Sequence, residues 1–95
     1  MPDVSDTVIS IRPTNLTYAQ ACKVARYILT SRLSTRIVID LTRTHDATTA
    51  GFAKLVLLRK QLNQRGCDLV LCGLSGKVAA KHHVCKLENV LPVSA

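Results

Sequence analysis

Hydrophobic residues are spaced in two different ways along the chain, and these spacings predict strands and helices in alternation. Three runs rich in β-branched and aliphatic residues are typical of buried strands: TVISIR (7–12), RIVIDL (36–41) and CDLVLCGL (67–74). A short apolar segment at residues 89–93 predicts a fourth strand. Pro92 cannot donate a hydrogen bond to a neighbouring strand, so this fourth strand is expected at an edge of the sheet.

The segments between these strands show helical spacing. The first predicted helix begins at Thr17, which offers a hydroxyl at the cap position and is followed three residues later by the amide of Gln20. It is expected to end near residues 31–34. One broad face of this helix is apolar and should be buried. That face carries Ala21, Cys22, Val24, Ala25, Ile28 and Leu29.

Two further helices are predicted in the second half of the chain. One covers about residues 50–65 and is followed by Gly66, the residue type favoured just after a helix carboxyl end. The other covers roughly residues 77–87, after Ser75 and Gly76. Its inward positions recur at helical spacing at Val78, Ala79, His82 and Cys85.

The resulting order, β-α-β-α-β-α-β, predicts a fold of the α/β class. Short loops and alternating elements favour one small, mainly parallel sheet of about four strands with three or more helices, in a single domain over residues 1–95. Sites in such sheets form where strand carboxyl ends meet helix amino ends. Two junctions of this kind are expected, at residues 44–51 (THDATTAG) and at residues 72–76.

Composition and charge narrow the classes of function. With 95 residues, 47% of them hydrophobic, the chain can form one modest core and is not expected to be disordered. Aromatic residues make up only 3%, so bases would find no stacking platform. The net charge of +7 leaves nucleic acid or nucleotide, an acidic protein surface and an anionic membrane open as partners. Because the basic residues are dispersed from Arg12 to Lys86, specific nucleic-acid binding is not expected.

The sequence predicts neither a membrane span nor a secretory signal. No apolar stretch approaches the roughly 20 residues needed to cross a bilayer. The opening MPDVSDTV contains neither the basic nor the apolar region of a signal peptide. A cytoplasmic location is therefore the expectation.

The chain has four cysteines: Cys22, Cys67, Cys72 and Cys85. We expect reduced thiols, because the aliphatic core needs no disulfide bonds for stability and because Cys67 and Cys72 are too far apart along an extended strand to pair. The sequence His82-His83-x-Cys85 raises zinc as an alternative. However, short C-x-x-C pairs are absent and adjacent helix residues point apart. We expect no metal and no cofactor.

Enzymatic chemistry is not predicted either. The glycines near residue 73 lack the spacing of a phosphate-binding loop, and the carboxylates form no paired pattern. A cysteine nucleophile beside a histidine base is the open alternative, although adjacency in sequence is not a catalytic geometry. Little in the sequence therefore supports an enzyme.

Two adjacent threonines at the start of the second predicted helix have two interpretations. A threonine hydroxyl can cap the helix by accepting a backbone N–H, worth on the order of 1 kcal/mol, and one residue suffices for this. Asp46 is another candidate cap, which would leave both Thr48 and Thr49 free. A free hydroxyl in the first turn lies at the positive end of the helix dipole, where a phosphate is stabilised, so the position suits a regulatory switch.

The region from residue 36 to residue 74 resembles the STAS domain family of anti-sigma factor antagonists and sulfate transporter tails. RIVIDLTRTHDATTAGFAKLVLLRKQLNQRGCDLVLCGLS is similar to that family's apolar strand ending in Asp-Leu, its Asp-Ser-Ser-Gly-Leu motif, a basic helix, Arg-Gly and a second apolar strand. LSGKVAAKHHVCKLENVLPV resembles the family's third helix and last strand more loosely.

Two anchors, Asp40-Leu41 at the strand end and Gly66 after the helix, place residues 48–52 on the Asp-Ser-Ser-Gly-Leu motif. In this alignment Thr48 stands where the family has aspartate, and Ala50 where it has the second serine. Asp46 is the candidate to replace the lost acid.

The resemblance implies a regulatory binding module and not an enzyme. In the family, the first serine of the motif is phosphorylated by a partner kinase that is also an anti-sigma factor, and phosphorylation breaks the complex. The matching residue is Thr49, which keeps the hydroxyl. The expected partner is thus an anti-sigma factor related to serine/threonine kinases. The alternative is a STAS subunit that docks on the ATPase of a lipid-transport ABC complex without phosphoregulation.

The second predicted helix also suggests how a partner would be held. Its core stripe should be Phe52, Leu55, Leu58 and Leu62. Leu57 falls on the other side of the helix, in line with Ala53 and Thr49, and the alternative is that it is one exposed leucine without a role. Lys54 and Lys60 flank this strip and would meet acidic groups. The predicted partner-binding residues are Asp46, Thr48, Thr49, Ala53, Lys54, Leu57 and Lys60.

Overall fold

The computed structural model describes residues 8–30 and 36–94. These residues form an α/β fold with a parallel sheet, as predicted. The three strands are β1 (Val8–Ile11), β2 (Arg36–Asp40) and β3 (Asp68–Cys72). The three helices are α1 (Tyr18–Thr30), α2 (Thr49–Gln64) and α3 (Gly76–Val84).

Strand β2 lies in the centre of the sheet and pairs in parallel with both neighbours. Ile37 pairs with Ile9 of β1 and with Leu69 of β3. Its two faces are covered unequally, since Ile37 and Ile39 are fully buried whereas Val38 is half-buried.

Helix α1 is capped by Thr17 as predicted, but the Thr17 N–H donates to the Asn15 side-chain oxygen at 3.3 Å and not to the amide of Gln20. The Gln20 backbone N–H donates to the Thr17 hydroxyl at 3.2 Å. The buried face consists of Ala21, Val24, Ala25 and Ile28. Cys22 and Leu29, which were expected on that face, lie at its half-buried margins. Two expectations, strand residue Thr7 and the helix end at residues 31–34, lie outside the described residues.

Helix α2 buries the predicted stripe. Phe52, Leu55, Leu58 and Leu62 are each at most 1% exposed. The helix ends through a Schellman-type arrangement at Gly66, whose N–H donates to the Asn63 carbonyl at 3.1 Å. Gly66 adopts the left-handed conformation, with φ of 77°, that this position requires.

The predicted fourth strand is reduced to a single bridge in the described part of the chain, which contains three strands. Near residues 89–93 only Val93 forms a bridge, in parallel with Leu71 of β3. The reason is a turn just before it: the N–H of Leu91 donates to the Leu87 carbonyl at 2.7 Å, and the carbonyl of Leu91 is bonded by His82. After this turn the segment pairs with β3 only around Leu71, whose N–H donates to the Pro92 carbonyl at 3.0 Å and whose carbonyl accepts from the Ser94 N–H at 2.7 Å.

Helix α3 also ends earlier than predicted, at Val84. The N–H of Leu87 donates to the His82 carbonyl at 3.2 Å, and the N–H of Lys86 donates to the His83 carbonyl at 2.9 Å. This is the same Schellman pattern as at the end of α2. Lys86 occupies the left-handed position with φ of 55°, where glycine is usual.

Candidate functional site

The loop before α2 is attached to the segment that precedes α1. The Thr44 hydroxyl donates to the Pro13 carbonyl at 2.7 Å, and Thr44 is buried. The N–H of Leu16 donates to the Asp46 carbonyl at 2.9 Å, and the N–H of Thr48 donates back to the Leu16 carbonyl at 3.0 Å. These bonds fix where α2 starts and therefore where its first side chains point.

Thr48 is the residue that caps α2. Its backbone is extended, with φ of −105° and ψ of 158°, and its hydroxyl oxygen accepts from the Gly51 N–H at 2.9 Å. Asp46 does not cap the helix, because its carboxylate accepts from the adjacent Ala47 N–H at 3.0 Å. The alternative in which Asp46 caps the helix and frees both threonines is therefore wrong.

Thr49 is the first helical residue, and it is exposed. Because Thr48 already caps the helix, the Thr49 hydroxyl is not needed for that purpose. Its oxygen lies 3.9 Å from the sulfur of Cys85, just beyond the end of α3. The hydroxyl is thus displayed where the start of α2 meets the end of α3.

A first groove lies between residues 46–49 and α3, with a volume of about 590 Å³. One wall contains Asp46, Thr48 and Thr49 from the predicted set. The opposite wall contains Lys77 and Lys81 from α3. Sequence reasoning missed these two lysines. Their spacing of four residues places them on one face of α3, but nothing local shows that this face turns toward Thr49.

A second groove lies between α2 and residues 85–90, with a volume of about 470 Å³. The predicted strip of Thr49, Ala53 and Leu57 forms part of its lining. Leu57 is 55% exposed, and Val90 across the groove is 40% exposed. Thr49 is shared by both grooves, and the second is lined mostly by apolar side chains.

The two flanking lysines of the prediction are placed differently. Neither Lys54 nor Lys60 lines the first or second groove. Lys60 is exposed and lines a smaller groove beside Arg59, whereas Lys54 is half-buried. The structure therefore brings Asp46, Thr48, Thr49, Ala53 and Leu57 together around two grooves that neither lysine lines.

The carboxyl end of β2 carries an ordered acidic side chain. Asp40 accepts hydrogen bonds from the Thr42 hydroxyl and from the Thr42 N–H (3.0 Å for the latter), and its other oxygen lies 3.2 Å from Arg12 Nε. The bonds from Thr42, and to a lesser degree the Arg12 charge, hold the pKa of the Asp40 carboxyl below its usual value.

The pKa of Cys72, at the end of β3, is shifted in the opposite direction. Burial, followed by the neighbouring Asp40 carboxylate, raises the pKa of the Cys72 thiol. The thiolate is the nucleophilic form of cysteine, so this environment disfavours nucleophilic chemistry at Cys72. The hydrogen bonds between Asp40 and Thr42 stabilise the turn after β2.

The histidines and Cys85 do not form a shared ligand site. His82 is 5% exposed, and its Nε2 lies 2.8 Å from the Leu91 carbonyl oxygen; since a carbonyl only accepts, Nε2 carries the hydrogen. His83 is exposed and lies 3.4 Å from Glu88. Within residues 8–30 and 36–94, no group of three His, Cys, Asp or Glu side chains is arranged to hold a metal ion. All four cysteines are free in the structure.

The parallel three-stranded sheet and the three helices of the described residues define the class of this molecule as a small α/β domain. The family model for the STAS domain matches residues 4–95. The chain therefore belongs to the STAS domain family.

A solved structure agrees with this assignment. The chain is similar in fold to the crystal structure of a sulfate transporter family protein from Wolinella succinogenes, with a TM-score of 0.76 and 14% sequence identity. The similarity covers 88% of this chain and 70% of that one. No curated protein matches the sequence significantly.

Family membership is consistent with a non-catalytic regulatory or docking module that interacts with other proteins. None of the helices in the part of the chain that the structure describes is long and apolar enough to cross a membrane.

Proposed function

We propose that this protein is a cytoplasmic regulatory module that acts as an anti-sigma factor antagonist. It binds an anti-sigma factor of the serine/threonine-kinase type through the start of α2, and phosphorylation of Thr49 releases it. The observation that carries this proposal is the division of roles between two neighbours: Thr48 caps the helix, and Thr49 presents an exposed hydroxyl, not used by the cap, between two grooves.

The contact surface follows from the second groove. Leu57 provides an exposed apolar anchor, Ala53 leaves space one turn before it, and Thr49 supplies a polar end. A partner that inserts an apolar side chain beside Leu57 and places acidic groups near Lys60 would match this surface in shape and charge.

Phosphorylation would change the surface strongly. The kinase would transfer the γ-phosphoryl group of ATP to the Thr49 oxygen, with loss of the hydroxyl proton and release of ADP. The product carries about −1.5 to −2 charges at neutral pH. An acidic partner would be repelled, and the phosphate would need desolvation to remain in the interface.

Affinity capture from native lysate tests the proposal, with variants matched in charge. Thr49→Glu should lose the partner, whereas Ala50→Glu should retain it, because Ala50 is exposed in the same turn but lines neither groove. Leu57→Asp should also lose the partner while remaining folded, and Gln61→Asp, which puts the same charge one turn further along α2, should retain it.

The outcomes separate the two candidate functions. Recovery of a kinase-like anti-sigma factor with the wild type, lost in Thr49→Glu, supports the proposal. Recovery of an ABC transporter ATPase that is insensitive to Thr49→Glu contradicts it and favours docking without phosphoregulation.

A further inference from the structure

The first groove has a positive wall that the partner-binding strip does not use. Lys77 and Lys81 lie on α3 and face residues 46–49 across a space of about 590 Å³. Within the described residues neither lysine forms an ion pair or a hydrogen bond through its side chain. Both ammonium groups are therefore free to bind an anion that enters the groove.

The contact between Cys85 and Thr49 shows how close Lys81 lies to Thr49. The Cys85 sulfur lies 3.9 Å from the Thr49 hydroxyl oxygen, so the end of α3 touches the start of α2. Lys81 precedes Cys85 by four residues, and its Cβ is therefore about 5–6 Å from that of Cys85 on the same side of α3. A lysine side chain is a flexible four-carbon stem and can cover the remaining distance.

The lining of the first groove contains few acidic side chains that could neutralise these lysines. Asp46 is the acidic residue in its lining, and its carboxylate is bonded to the Ala47 N–H. Neither α2 nor α3 has an acidic residue in its first turn. Lys77 lies in the first turn of α3, where a cation is opposed by the helix dipole and gains when an anion approaches.

From this arrangement we infer that Lys81, assisted by Lys77, is an internal receptor for a phosphate on Thr49. The inference rests on the proposed phosphorylation. The phosphorylated side chain binds the lysines of its own domain across the first groove. Phosphorylation then acts within the domain as well as through repulsion of the partner.

A titration of the phosphate tests this without a kinase or a partner. Phosphothreonine is incorporated at position 49 during synthesis, and the second phosphate pKa is followed by ³¹P NMR. A peptide of residues 44–54 carrying the same phosphothreonine serves as the unfolded reference. We expect a lower pKa in the folded protein than in the peptide, because nearby cations favour the dianion.

Substitutions assign that shift to the lysines. Lys81→Met should raise the phosphate pKa by about half a unit, roughly a threefold change in proton affinity, and Lys77→Met should raise it by less. Lys81→Arg should keep it low, which separates the charge from the packing of the stem. Lys23→Met is the control: it removes the same charge from an exposed position on α1 that does not line the groove.

Each outcome is decisive for the inference. A rise in Lys81→Met that exceeds the rise in Lys23→Met supports it. Equal shifts in the two variants, or a folded-protein pKa equal to that of the peptide, overturn it. The titration does not depend on the capture experiment. A lowered phosphate pKa without capture of a partner would support the receptor alone, and capture without a lowered pKa would support only the proposed partner binding.

Discussion

The carbonyl oxygen of Leu16 lies directly against Gly51. A Cβ built on Gly51 would be 2.0 Å from that oxygen, far inside van der Waals contact. The same carbonyl accepts the Thr48 N–H at 3.0 Å. Close packing therefore explains why a glycine occupies position 51. Without a Cβ, the start of α2 can approach the segment before α1 closely enough to position Thr48 and Thr49.

Replacing this glycine should destabilise the protein. Gly51→Ala should lower the free energy of unfolding by about 1–3 kcal/mol, the usual cost of overpacking. The higher helix propensity of alanine, worth about 1 kcal/mol, offsets only part of this. Urea denaturation of both proteins measures the difference. A more stable Gly51→Ala protein would show that the approach of Leu16 does not constrain the site.

The two threonines should differ in their effect on stability. Thr48→Ala removes the cap and should reduce the free energy of unfolding by about 1 kcal/mol. Thr49→Ala removes an exposed hydroxyl and should stay within about 0.5 kcal/mol of the wild type. Parallel thermal or urea melts compare the two. If Thr49→Ala cost as much as Thr48→Ala, the Thr49 hydroxyl would be structural and less suited to modification.

Helices α2 and α3 end in the same Schellman arrangement, each followed by a residue with positive φ. Gly66 and Lys86 both have positive φ, 77° and 55°, but only Gly66 is a residue type that adopts it without strain. Lys86→Gly should therefore raise the free energy of unfolding by about 1 kcal/mol, and Gly66→Ala should lower it by a similar amount. Denaturation midpoints that move in the same direction for both changes would contradict the assignment.

The network around Asp40 predicts a dependence of stability on pH. The folded pKa of Asp40 lies below the unfolded value of about 3.9, so the ionised carboxylate stabilises the folded state above that pH. This contribution is lost as the pH falls through the lower folded value. The unfolding free energy of the wild type should therefore decline more steeply below about pH 4 than that of Asp40→Asn. Curves with equal slopes would argue against the network.

Local patterns in the sequence were sufficient to predict helix α2. Three- and four-residue spacing alone separates the buried residues Phe52, Leu55 and Leu58 from the exposed Leu57, because a helix that packs on a sheet has one inward face. The junction before α2 could also be predicted, since strand order places it at the carboxyl edge of a parallel sheet.

Features that depend on contacts distant in sequence were not predictable in this way. The predicted fourth strand is reduced to a single bridge because Leu91 is bonded to Leu87 and to His82, which keeps the preceding segment in a turn. Lys77 and Lys81 were missed because only the tertiary placement of α3 brings them opposite Thr49. The choice between Thr48 and Asp46 as the cap likewise required the backbone geometry of the loop.

The most direct test of the account is a binding titration with phosphorylated Thr49. The protein captured by the wild type and lost by Leu57→Asp is purified, and its affinity is measured calorimetrically for the unmodified chain and for the chain with phosphothreonine at position 49. We predict affinity at least about tenfold weaker for the phosphorylated chain, because a phosphate places about −1.5 to −2 charges within the contact surface. Equal affinities for the two forms would contradict the central claim that Thr49 is the switch.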